Sequence, residues 1–241
     1  MRGTSLARTP LASAALAAAA LTLLAASLFA DPAKSVPQLK ADADSAVAAA
    51  IAAAGDYGAN WAAAKACRLY GDEMVTQEYA GWKDLAKAAV RDGMKFGELA
   101  TKLNPGGVEG WYWYGLCVGT YSDCVSILTA LSEGLKGKTQ KSFEMSYSIN
   151  KMYDAGGPIL ALGRFWQVLP GIAGRDYKKA EQLFNEYLTL FGSGNDPNKD
   201  AWYYRGSLYK DTGRADLAKA DIQKAASMGQ KDAIKLLATL K

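Results

Sequence analysis

Few side chains in this sequence are placed to do chemistry. The 241-residue chain has no histidine, which removes the commonest general base, the usual serine and cysteine triads and most zinc sites. The acidic pairs Asp42 with Asp44 and Glu181 with Glu186 lie among lysines. Solvated helix faces account for them better than general acid–base work does. No G-x-x-x-x-G-K-S/T phosphate loop occurs, and the glycine-rich pieces fall where helices should end. That leaves Arg164 in ALGRFWQVLPG. An arginine among aromatics and aliphatics can hold a carboxylate while its neighbours cover an apolar body. It can equally cap the preceding Gly-Pro corner by donating to its carbonyls. No catalytic residue, metal or cofactor is expected.

The composition indicates what must position such side chains. Half the residues are apolar and 22% are charged, which is globular. Alanine is abundant and β-branched residues are sparse, so the chain leans to helix. The formal charge is +4, with no run of five basic residues, which argues against nucleic acid as a partner. Arg2 and Arg8 precede an Ala-rich apolar stretch from Leu11 to Phe29 that ends in Ser27-Leu28-Phe29-Ala30. This pattern predicts an export signal over residues 1–30, cleaved before Asp31, with an uncleaved inner-membrane anchor as the alternative. Periplasmic export from a Gram-negative cell follows. Without the two leader arginines the formal charge falls to +2. Of the three cysteines, Cys117 and Cys124 flank Gly119-Thr120-Tyr121-Ser122-Asp123, read as a turn. Either the two are bridged across it or they are free thiols on helix faces.

Helical punctuation recurs along the chain. In DAWYYRGSLYKDTGRADLAKADIQKAASMG, Trp202, Gly206 and Tyr209 share one helix face, and Ala218, Ile222 and Ala225 share the face of a second. Trp111, Tyr114, Gly115 and Val118 reproduce the first pattern. Ile159, Gly163 and Trp166, then Ala180 and Phe184, repeat the pair with extra residues in the turn around Leu169-Pro170-Gly171. Gly156-Gly157 ends one helix there and Pro158 starts the next. Trp61 begins another first helix with Trp82 to Leu103 as its partner, and two helices fit between Tyr121 and Tyr153, split near Gly134 to Lys138. Pro37 to Ala54 reads as an Ala-rich capping helix.

These spacings resemble the tetratricopeptide repeat, although Arg205 stands where that motif has leucine. The expected fold is all-α: a helical-hairpin solenoid of about four pairs over residues 57–241, preceded by an N-terminal helix within 31–56. In such a superhelix the first helices line a concave face. Counting from the aligned glycines, the resemblance puts Tyr112 and Leu116, then Leu160, Arg164 and Gln167, then Tyr203, Ser207 and Lys210 in the groove. Of the run Trp111-Tyr112-Trp113-Tyr114, it puts Trp113 on an outer face.

Gly156-Gly157-Pro158, Ala161-Leu162-Gly163-Arg164, Leu169-Pro170-Gly171 and Asp176 are together similar to the TRAP-transporter-associated (TatT-like) family of tetratricopeptide proteins. That resemblance covers Trp111 to Lys241. It implies a non-enzymatic periplasmic accessory protein of a TRAP-type uptake system, binding a periplasmic solute-binding protein, a small organic acid or both, and forming homo-oligomers. The competing expectation is a general envelope scaffold or assembly factor that reads a peptide in its groove.

Overall fold

The computed structural model describes residues 34–77, 81–193 and 198–240. The expected export signal lies outside the described residues. Among them are eleven α-helices and no strand. α1 is Val36–Ala52, α2 Tyr57–Gln77, α3 Trp82–Leu103, α4 Val108–Cys124, α5 Ile127–Ser132 and α6 Leu135–Asn150. α7 is Tyr153–Val168, α8 Tyr177–Phe191, α9 Lys199–Asp211, α10 Ala215–Ser227 and α11 Lys231–Leu237, with a 3-10 turn at Gly171–Ala173. No described helix is long and apolar enough to cross a membrane.

The helices stack as four hairpins, α2/α3, α4/α6, α7/α8 and α9/α10. α1 packs on α2 at one end of the stack and α11 on α10 at the other. One contact type builds every hairpin. A glycine on the first helix faces a larger residue on the second: Gly71 on Val90, Gly115 on Phe143, Gly163 on Phe184 and Gly206 on Ile222. A Cβ on any of the four glycines would come within 2.7, 2.7, 2.7 and 2.9 Å of those side chains, respectively. A small buried residue lies one turn before each large one: Ala86, Thr139, Ala180 and Ala218. Helices with small residues at their crossing approach closely, and the large partner fills the gap left by the glycine.

The distance from glycine to small residue varies along the chain, and the extra residues form structure of their own. The second hairpin holds α5 in its turn, started by Ser126, whose side chain accepts from the Thr129 N–H. The third holds the 3-10 turn, closed by Gly174 in the left-handed region at φ 90. Both insertions contribute to the mouth of the concave face.

Two sequence expectations are corrected in α4. Gly119 to Asp123 is not a turn: α4 runs unbroken to Cys124. Cys117 and Cys124 are therefore two turns apart on one helix, a rise of about 10 Å, beyond disulfide reach. All three cysteines are free. Trp113 is not on an outer face but buried, with its indole N–H donating to the Tyr153 hydroxyl at 3.0 Å. The reason is that α4 packs against α2, α3, α6 and α7, so Trp111, Tyr112, Trp113 and Tyr114 are all covered. Four consecutive aromatics can be buried together only on a helix surrounded in this way.

Candidate functional site

The concave face encloses a groove of about 1900 Å³ lined by the first helix of each hairpin. α4 supplies Tyr112, Leu116, Gly119 and Asp123; α7 supplies Gly157, Leu160, Ala161, Arg164 and Val168. Each set follows helical spacing along one face. α2 adds Arg68, and α9 adds Asp200 and Tyr204. The walls therefore come from all four repeats, and the floor is held by the glycine crossings behind it.

The entry of α7 is unusual. Asp154, Ala155 and Gly156 have φ of 49, 51 and 81, a left-handed turn before the regular helix resumes at Gly157 and Pro158. L-residues adopt this conformation at a cost. Gly156 avoids part of that cost and leaves room for the Phe191 and Tyr187 rings, which a Cβ would meet at 2.5 and 2.9 Å. The backbone of Gly157 lies against the Tyr112 hydroxyl, 2.2 Å from where a Cβ would be. Tyr112 is buried and bonded to Asp154; burial, reinforced by that carboxylate, pushes its hydroxyl pKa upward and keeps it protonated.

Arg164 does not cap the Gly-Pro corner. Its Nη1 donates to Gln167 Oε1 at 2.9 Å, and its guanidinium lies over the Tyr204 ring at 4.7 Å. Gln167 is buried and donates from Nε2 to the Tyr204 carbonyl at 2.9 Å. A buried amide anchored to α9 thus orients an arginine of α7. Burial pushes the Tyr204 hydroxyl up to about 12.

Arg68 and Asp123 complete the polar part of the groove. The Arg68 side chain is 16% exposed and its Nη1 forms an ion pair with Asp72 Oδ1, one turn further along α2. Its Nε is buried without a hydrogen-bond partner, and burial lowers its pKa from the usual arginine value. Asp123 is exposed on the groove wall, where partial desolvation raises its carboxyl and Arg164 and then Arg68 oppose the rise. Arginines, protonated tyrosines and acids share this groove; no nucleophile with an adjacent base is present in this set.

Of the residues assigned from sequence, Tyr112, Leu116, Leu160 and Arg164 line this one groove, and Gln167 lies directly behind Arg164. Tyr203 and Lys210 lie elsewhere. Tyr203 packs on the cluster of Ile222, Ala225 and Ala233, beneath α11, and Lys210 is exposed. Tyr203 is taken up in the packing between α10 and α11, and Tyr204, one residue on, lines the groove. Sequence spacing misses Arg68 because it aligns the first hairpin on Trp61. The available signal is Gly71, with Cys67 and Met74 buried four before and three after it. Counting three back from Gly71, as from Gly115 to Tyr112 and from Gly163 to Leu160, leads to Arg68.

No family model matches the chain, and no curated protein does. Among solved structures it is similar to a thermophilic tetratricopeptide-repeat protein of Thermus thermophilus. The TM-score is 0.50 at 16% identity, over 84% of this chain and 98% of that one. The fold is tetratricopeptide-like. The likeness extends to the fold and not to the groove's occupants.

Proposed function

We propose that this chain is a helical-repeat binding module, exported to the cell envelope, whose concave groove receives a partner, and that the partner is the solute-binding protein of a TRAP-type uptake system. The observation that carries the first part is the groove itself, about 1900 Å³ deep in the stack and walled by side chains from every repeat. Repeat arrays use this surface for recognition because its positions are free of the packing that holds the hairpins together. The transport assignment rests on the residues from Gly156 to Asp176 and their similarity to the TRAP-associated family. In the structure these residues form the α7 entry, the Arg164 wall and the 3-10 turn at the groove mouth. The export assignment rests on Arg2, Arg8 and the apolar stretch after them.

A single substitution can close the groove without touching the core. Gly119 lines it, and a Cβ there would meet nothing within 4 Å. Gly119→Trp therefore fills the groove while leaving the helix intact. Tagged wild-type and Gly119→Trp proteins are purified from intact cells, and the co-purifying proteins are identified by mass spectrometry. The reading expects a solute-binding protein with the wild type and its loss with Gly119→Trp, at unchanged melting temperature. Recovery of outer-membrane or cell-wall proteins in its place would assign the groove to envelope assembly.

A further inference from the structure

Arg68 and Arg164 come from different repeats and open onto one groove. Arg68 stands on α2 and Arg164 on α7, with Asp123 of α4 and Tyr204 of α9 among the residues that share the groove with them. Arg68 is a largely desolvated cation whose counter-ion, Asp72, is 43% exposed, and its Nε lacks a hydrogen-bond partner. Such a group is costly to keep, and an anion that reaches it offsets the cost. Arg164 is braced by Gln167 and Tyr204, and its only hydrogen bond among the described residues is to Gln167. A pre-oriented guanidinium loses little freedom when it takes up a planar anion.

The charge around them has the right sign. Five cationic side chains line the groove against three acids. Asp154 is taken up by the Tyr112 hydroxyl and Asp200 by the Gln230 amide, which donates at 3.2 Å. Asp123 is the acid left facing the arginines. Beside this polar patch the walls are apolar, with Leu116, Leu160, Phe165 and Leu169 all lining the groove. The volume is many times that of a carboxylate, so the occupant has a substantial body.

We propose that the groove binds an amphiphilic carboxylate, with its head between Arg68 and Arg164 and its apolar body along Leu116, Leu160, Phe165 and Leu169. This rests on the groove being the binding surface. Asp123 is then an internal competitor that keeps the arginines partly neutralised until the ligand arrives.

Octanoate, octanamide and octyl phosphate are titrated into the purified full chain by calorimetry. Octanoate is expected to bind, with octanamide weaker by about tenfold or more, the loss of at least one charge-assisted hydrogen bond. Arg164→Gln and Arg68→Gln are each expected to weaken octanoate by a similar factor and to leave octanamide unchanged. Asp123→Asn is expected to strengthen octanoate, an effect a merely structural arginine pair would not give. If Arg68→Gln does not fold, Arg164→Gln and Asp123→Asn carry the test. Equal binding of octanoate and octanamide, absence of octanoate binding, or affinity unchanged by the arginine variants overturns the proposal. Tighter binding of octyl phosphate than of octanoate overturns the choice of carboxylate. Failure here with partner capture still blocked by Gly119→Trp removes the ligand class alone. Octanoate binding unaltered in Gly119→Trp removes the groove as well.

Discussion

Gly163 on α7 lies against the ring of Phe184 on α8, so closely that a Cβ on the glycine would come within 2.7 Å of the Phe184 Cε1. The contact recurs in the neighbouring hairpins, with Gly115 on Phe143 and Gly206 on Ile222. Together these crossings set how closely each first helix approaches its own second helix, and the first helices are the walls of the groove.

Glycine should therefore have opposite effects at two kinds of position in this protein. Gly163→Ala and Gly115→Ala force the facing ring to move, and each is expected to destabilise by about 1–3 kcal/mol through overpacking. Gly119→Ala meets open space and is expected to stabilise by about 0.5–1 kcal/mol, because alanine restricts the unfolded chain and favours helix. Urea denaturation of the three variants checks both signs. Equal and small effects at all three would mean that the crossings are loosely packed.

Arg205, which stands where the repeat usually has leucine, is explained by Asp221. Its Nε donates to Asp221 Oδ2 at 2.7 Å and its Nη2 to Oδ1 at 2.9 Å, within the last hairpin. The Asp221 side chain is only 8% exposed. Removing one partner strands the other charge, so Asp221→Ala is expected to cost about 3 kcal/mol. The double variant Arg205→Leu/Asp221→Leu should cost less than Asp221→Ala alone. Additive losses in the double-mutant cycle would contradict the pairing.

A second arginine makes the stability depend on acid. Arg214, at the turn between α9 and α10, donates from Nη1 and Nη2 to the two oxygens of Glu181 on α8, at 2.8 and 2.9 Å. Those hydrogen bonds hold the Glu181 carboxyl below its ordinary value of 4.5. A depressed folded-state pKa stabilises above the unfolded value, and the contribution is lost as pH falls from there through the folded value. Thermal melts of wild type should thus decline more steeply below pH 4.5 than those of Glu181→Gln, which starts lower at pH 7. Parallel curves would show that the pair contributes nothing.

The hairpins are legible wherever a glycine lies in an aromatic frame, as Gly206 does between Trp202 and Tyr209. Trp82–Leu103 emerges with the bounds its spacing suggests, because a 22-residue amphipathic run leaves little choice. Gly71 is hidden because Cys67 and Met74 do for it what tryptophan and tyrosine do for Gly206, and neither residue marks a repeat by type. Gly119 reads as a turn because local composition cannot show that α4 is enclosed by four other helices. Tyr203 gives way to Tyr204 through the packing of α11, a tertiary contact absent from the repeat's own pattern. Arg164 is legible as a candidate, but its partners, Gln167, Tyr204 and Asp123, depend on how α4, α7 and α9 meet.

The most direct test concerns which face of the stack meets the partner. Val168, at the groove, and Leu217, on α10 and outside it, are 49% and 50% exposed, so a photo-reactive benzophenone side chain at either is equally available to solvent. Irradiation of cells carrying each version should give a covalent adduct from position 168 and none from position 217. An adduct from 217 with none from 168 would place recognition on the convex side and contradict the account.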